Sequence, residues 1–230
     1  GCLILGIEMS ENLKNDPNYA LALYAKGLEQ YALSKYDEAI ILFDKAIEID
    51  RNFAIAWYHK AVALANQDKH GEAIIAFDKA LEIDPTDTDS WIGKGNLLGF
   101  LGKHGEEIIA FDKALEIDPT DTDSWIAKAN ALCFLGKPEN AIVAFDKALE
   151  INPNDVDVWW KKGMTLCDIA KYDEAITTYD EALEIEPNDI AVWNSKGVAL
   201  RHLGKYDEAI ICHDKVLDIN PKHPSAWYNK

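Results

Sequence analysis

The 230-residue chain is 48% hydrophobic and 27% charged, a soluble globular profile, and it is long enough to bury a large apolar surface without metals or disulfides. Its formal net charge of -17 repels nucleic acid and anionic membranes and favours basic partners, so neither a nucleic-acid nor a membrane partner is expected. No stretch reaches the roughly 18 consecutive apolar residues of a membrane span. The four cysteines, at 2, 133, 167 and 212, have neither zinc-site nor disulfide-framework spacing, so they read mostly as small apolar fillers in a reducing, cytoplasmic setting.

In chain order, the start Gly1-Cys2-Leu3-Ile4-Leu5-Gly6-Ile7 is apolar but short, lacks a basic flank and reaches Glu8 at once. Gly1-Cys2 has the look of a lipoprotein junction, but there the lipid-bearing cysteine becomes the first residue. Residues 1–19 read as an N-terminal segment, a remnant helix of a preceding repeat, because Asp16-Pro17 matches the Asp-Pro that closes later repeats. Tryptophan then recurs at Trp57, Trp91, Trp125, Trp159, Trp193 and Trp227, always 34 residues apart. Residues 84–92 and 118–126 share the nine letters DPTDTDSWI.

Cutting at this period gives repeats 20–53, 54–87, 88–121, 122–155, 156–189 and 190–223, then the start of a seventh at 224–230. Each holds two apolar-periodic segments. In the third, Trp91, Lys94, Gly95 and Leu98 line one helical stripe, and Ile108, Phe111, Ala114, Leu115 and Ile117 another. Gly102, Gly136 and Gly204 stand where a helix C-terminus wants a left-handed residue, and Pro138 where a helix begins. Pro85, Pro119, Pro153, Pro187 and Pro221 close the second helices, and the Asp, Thr and Asn residues after them suit N-caps. The expected fold is all-α.

In these residues the chain resembles the tetratricopeptide-repeat family. That pattern has a first-helix tryptophan, a small residue four positions on, then alanine, aromatic, alanine and proline in the second helix. Trp57, Ala61, Ala73, Phe77, Ala80 and Pro85 match it, as do Trp159, Gly163, Ala175, Tyr179, Ala182 and Pro187. The resemblance implies a right-handed superhelical solenoid of antiparallel helix hairpins. The small residues let paired helices approach closely, and stacking supplies the core that one hairpin lacks. Departures are Leu23 for tryptophan and Arg51 for proline in the first repeat, and His213 and Val216 for the aromatic and alanine in the sixth. Glu107 replaces an alanine and needs a partner such as Lys94 or Lys103.

The resemblance also implies that first helices line a peptide groove. Mapped onto this sequence, the groove residues are Tyr24, Tyr31, Tyr58, Asn66, Asn96, Phe100, Asn130, Phe134, Trp160, Asp168, Asn194 and Arg201. Rings supply area, and amides can hold a bound backbone. The family's clamp for acidic chaperone tails needs a lysine at the slot that here holds Tyr24, Tyr58, Ile92, Ile126, Trp160 and Asn194. The expected partner is therefore a neutral-to-basic peptide or helix with apolar anchors. Lys26, Lys60, Lys94, Lys128, Lys162 and Lys196 form a ladder expected to cover apolar surface and pair with loop aspartates.

No catalytic motif, cofactor site or metal site is expected. The DPTDTDS loops lack the turn glycine and closing glutamate of a calcium loop, and His70 and His104 lie a whole repeat apart. The leading expectation is a non-enzymatic scaffold or adaptor. The alternatives are an array that self-associates through uncapped ends, or the recognition region of a larger enzyme.

Overall fold

The computed structural model describes residues 16–229, so the expectations made for Cys2 and the remnant helix in 1–15 lie outside the described residues. Within them every regular element is a helix. They are α1 (Pro17–Ala32), α2 (Tyr36–Ile49), α3 (Ala54–Ala65), α4 (His70–Ile83), α5 (Thr88–Phe100), α6 (His104–Ile117), α7 (Thr122–Phe134), α8 (Pro138–Ile151), α9 (Val156–Asp168), α10 (Tyr172–Ile185), α11 (Ile190–His202), α12 (Tyr206–Ile219) and α13 (Pro224–Asn229). The chain divides into two compact units between Lys103 and His104. In the first, α1 pairs with α2, α3 with α4, and α5 packs on α4. In the second, α6 packs on α7, and α7/α8, α9/α10 and α11/α12 form hairpins before α13.

Each hairpin turn has one residue in the left-handed region. Gly102, Gly136 and Gly204 have φ of 70, 65 and 74°, but Ser34, Asp68 and Ala170 adopt the same conformation at 58, 59 and 58°. The turns are closed by bonds such as Lys137 N–H to the Leu132 carbonyl at 2.9 Å, the six-residue closure that follows a helix C-terminus. A left-handed alanine carries a Cβ clash of about 1–2 kcal/mol, partly offset by glycine's greater freedom when unfolded. Ala170→Gly is therefore expected to stabilise the chain by about 0.5–1 kcal/mol, read as a raised urea midpoint. An unchanged or lowered midpoint contradicts this.

Inside each hairpin an aromatic lies against a first-helix position that is often glycine. A Cβ on Gly27 would meet the Phe43 ring at 2.5 Å, and Gly163 is covered by Tyr179 in the same way. Phe43, Phe77, Phe111, Phe145 and Tyr179 are all buried. The helix starts are capped as expected: Asp121, Asp155 and Asp189 accept from the backbone N–H of Ser124, Val158 and Val192.

The tryptophan period has a second cause besides packing. The indole Nε1–H groups of Trp91, Trp125, Trp159, Trp193 and Trp227 donate to the carbonyls of Pro85, Pro119, Pro153, Pro187 and Pro221, at 2.8–3.0 Å. The ladder lysine lies over the ring, with Lys60 Nζ 5.0 Å from the Trp57 centroid and Lys162 Nζ 5.2 Å from that of Trp159. Its amine pairs with an aspartate on the preceding second helix, not with a loop aspartate. Lys60–Asp44, Lys94–Asp78 and Lys162–Asp146 are 2.6 Å apart, Lys128–Asp112 2.5 Å, and Lys196–Asp180 makes the same pair. From α3 to α11 the ladder is thus a clip from each first helix to the second helix before it.

Candidate functional site

In the first unit, α1, α3 with its C-cap, and α5 carry six of the twelve groove candidates, and they divide into four environments. Tyr24 is only 8% exposed, so it belongs to the core. Its ring is enclosed by Phe43, Phe53 and His59 at centroid distances of 5.9, 5.2 and 5.4 Å, and its hydroxyl lies 3.2 Å from His59 Nδ1. Burial first, and Tyr58 second, raise its phenol above the ordinary value. Tyr31 and Asn66 are brought together, with Asn66 Nδ2 donating to the Tyr31 hydroxyl at 3.2 Å and to the Val62 carbonyl at 2.8 Å. That amide is largely spent locally.

Tyr58 faces a different setting. With Ala54, Ile55 and His59 it forms one side of a pocket of about 430 Å³, and Asp84, Asp87 and Asp89 form the other. Burial first, then the charges of Asp89 and Asp87, raise the Tyr58 phenol above its ordinary value, so the carboxylates project a negative field onto the ring. Asp84 is held below the usual carboxylate range by the Thr86 hydroxyl and then by its N–H. His59 is the residue that the sequence reading missed: Nδ1–H donates to the Ile55 carbonyl at 3.0 Å, and the ring stands edge-on to Tyr58 at 4.9 Å. A signal was present, because equivalent positions hold the small residues Ala25, Gly93 and Ala127.

Asn96 is exposed, and Phe100 is 74% exposed. Phe100 ends α5, and its ring meets that of His70, the first residue of α4, at 5.0 Å. It therefore stands at the hairpin-turn edge.

The second unit repeats this edge placement. Phe134, also 74% exposed, stacks on His104 at 4.6 Å and 7°, and His202 stacks on Tyr172 at 4.8 Å and 3°. His104 Nδ1–H in turn donates to Glu107 Oε2 at 2.8 Å. The buried Glu107 is thus answered by a histidine one turn away, while Lys94 is engaged by Asp78. On α9 and α11, the Trp160 indole donates to Ser195 Oγ at 3.0 Å. Asn194 Oδ1 is buried with no hydrogen-bond partner. Asn130 is half-buried, Asp168 is exposed, and Arg201 donates to Asn229 Oδ1 at 3.3 Å.

The cysteines do not behave alike. Cys133 is exposed, contrary to a filler role, with Sγ 3.6 Å from the Thr165 hydroxyl. Cys167 lies 3.7 Å from the Tyr179 hydroxyl, and burial raises its thiol. Burial pushes the Cys212 thiol up to about 11.

Five family models described as Tetratricopeptide repeat match this chain: one at residues 11–52 and 24–88, and others at 88–121, 110–143, 135–199 and 190–223. No curated protein matches significantly. Among solved structures, the chain is similar to YrrB, described as a TPR protein with an unusual peptide-binding site, at 28% identity and a TM-score of 0.70, over 81% of this chain and 96% of that one. It shares the fold of MamA from Desulfovibrio magneticus RS-1, at 18% identity and TM-score 0.66, covering 74% and 96% of the two chains. Pseudomonas aeruginosa pilF shares it at 19% and 0.66, covering 92% and 97%. Among the described residues no helix is long and apolar enough to cross a membrane.

Proposed function

The chain belongs to the tetratricopeptide-repeat family, a family of protein-interaction scaffolds, and from that premise we propose that it is a non-enzymatic adaptor whose first-helix faces hold a neutral-to-basic peptide or helix of a partner protein. The observation that carries this reading is the pocket on α3 and α5, where Ile55 and the Tyr58 ring meet Asp84, Asp87 and Asp89. An aliphatic group can lie on the apolar wall while an adjacent lysine or arginine reaches the carboxylates. The exposed Asn96, and on the second unit Asn130, Trp160 and Asp168, would extend the same kind of contact along each face. YrrB's peptide-binding description supports a peptide ligand.

The test is fluorescence anisotropy with two dye-labelled peptides, one pairing leucines with lysines and one with glutamates in place of the lysines. The basic peptide is expected to bind, and Tyr58→Ala with Asp87→Asn to weaken it about tenfold or more. Equal binding of the acidic peptide overturns the charge preference, and binding indifferent to both substitutions overturns the face. Self-association is a second reading. Light scattering across concentration, with Trp227→Ala for comparison, decides it.

A further inference from the structure

An apolar groove of the second unit lies on the opposite side of its hairpins. There α7 packs against both α6 and α8, and α9 against both α8 and α10, so each first helix is a floor between two second helices. Between α6 and α8 the groove is about 640 Å³, with Ile108, Ile109 and Val143 on its walls and Trp125, Leu132 and Leu135 beneath. Ile109 and Val143 are 61% and 58% exposed, and Ile41, Ile75 and Ile211 are likewise exposed at the same position of α2, α4 and α12, so among the second helices only α10, with Thr177, lacks an exposed aliphatic there. Neither Ile109 nor Val143 can turn into the core, because Ile108 and Ile142 next to them already pack there.

Across α8 the surface changes character. The next groove, about 370 Å³, has Thr177 where α6 and α8 carry Ile109 and Val143. Its rim holds Glu174 and Glu181. Glu181 replaces the lysine that on α6 and α8 neutralises a glutamate one turn on, as in Lys113–Glu116 and Lys147–Glu150, both 2.6 Å. Glu181 and Glu184 consequently have no cationic partner among the described residues, whereas the other three acids of α10, Asp173, Glu174 and Asp180, pair with Lys205, Lys171 and Lys196.

We propose that this outer face of α6, α8 and α10 is a second docking surface, and that its occupant is an amphipathic helix of a partner protein with aliphatic side chains at one end and lysine or arginine at the other. The apolar end fills the α6–α8 groove, and the basic end lies over α10. Charge complementarity selects this occupant, because the same face presents an apolar trough followed by the two unneutralised carboxylates of Glu181 and Glu184. Because α7 and α9 lie between these second helices, the occupant must cross more than two helix widths, roughly 30 Å, which a helix of about 20 residues spans. The surface is separate from the first-helix faces, and both can be engaged together.

The probe is a dye-labelled helical peptide of about 22 residues, with leucines at i, i+3, i+4 and i+7 in its first half and lysines in its second, titrated with the full chain. Ile109→Ser with Val143→Ser is expected to weaken binding about tenfold or more. Glu181→Lys with Glu184→Lys is expected to weaken it about fivefold and to reduce its salt dependence. All four side chains are exposed, so the circular dichroism spectrum and Tm should stay as in the parent chain. Tyr58→Ala, on the first-helix face, should leave this binding unchanged, which keeps failure here distinct from failure of the adaptor reading. Absent binding, binding that survives the double serine substitution, or binding lost only with Tyr58→Ala overturns the proposal. Self-association abolished by the double serine substitution would make a second copy the occupant, and so overturn it too.

Discussion

Replacing Phe145 with alanine is expected to destabilise the second unit by about 3–5 kcal/mol, the cost of deleting a buried ring and leaving a cavity. Phe145 is 1% exposed and lies among Ala129, Leu132, Ala141, Ala148, Leu149 and Val158, so it joins α7, α8 and the start of α9. None of these neighbours is a long, flexible side chain able to collapse into the vacancy. In a stacked array, stability is roughly a sum of hairpin and interface terms, so weakening one internal hairpin also reduces cooperativity. Urea unfolding followed by circular dichroism should show a lower midpoint and a broader transition. The control is Val143→Ala, two residues away on the exposed face, which should stay within about 0.5 kcal/mol. Similar losses in the two variants would mean that the outer face of α8 is core, contrary to its exposure.

His213→Phe should raise stability, and by more in acid than at neutral pH. The ring is fully buried in the slot that Phe43, Phe77 and Phe145 fill in other hairpins, and neither nitrogen has a hydrogen-bond partner. A neutral imidazole always carries one N–H, and burying it unpaired costs about 1–3 kcal/mol. The phenyl ring is larger, but Phe43 fills the same slot against a glycine in the first hairpin, and phenyl removes that cost, so the variant should gain about 1–3 kcal/mol at pH 8. Burial first, and the Arg201 charge second, hold the His213 imidazolium pKa below its ordinary value of 6.5. The unfolded chain therefore takes up the proton first as pH falls. Stability linked to this group is complete above about pH 6.5 and is lost as pH falls towards the folded-state value, at up to about 1.4 kcal/mol per pH unit. Melting both proteins at pH 8, 6 and 5 should show the Tm gap widening in acid. A constant gap would mean that His213 is solvated or paired.

Most of the fold was legible because its causes are local and repeated. Glycine at 102, 136 and 204 announces a left-handed turn, but Ser34, Asp68 and Ala170 adopt that conformation without announcing it. There the stacked hairpins, not the residue, impose the backbone. The groove was less legible for the same reason. A position counted from tryptophan says which way a side chain leaves its helix, not what closes over it. Phe53 and His59 enclose Tyr24, while nothing comparable encloses Phe134 beyond one stacked histidine. The outer groove follows from residues outside the stripes: Ile108 and Ile142 face inward, and because two adjacent helical residues cannot face the same way, Ile109 and Val143 are left outside.

The lysine–aspartate–tryptophan clip also bears on how such a chain can change length. All three partners recur at the 34-residue spacing, and each joint within a unit uses the same atoms at nearly the same distance. Duplicating or deleting one whole period therefore recreates a native seam, whereas an insertion of any other size would leave a cation, an anion and an indole without their mates. Growth by whole periods is thus permitted by the chemistry of the joint itself, and the identity of residues 84–92 and 118–126 fits a copying event of that kind.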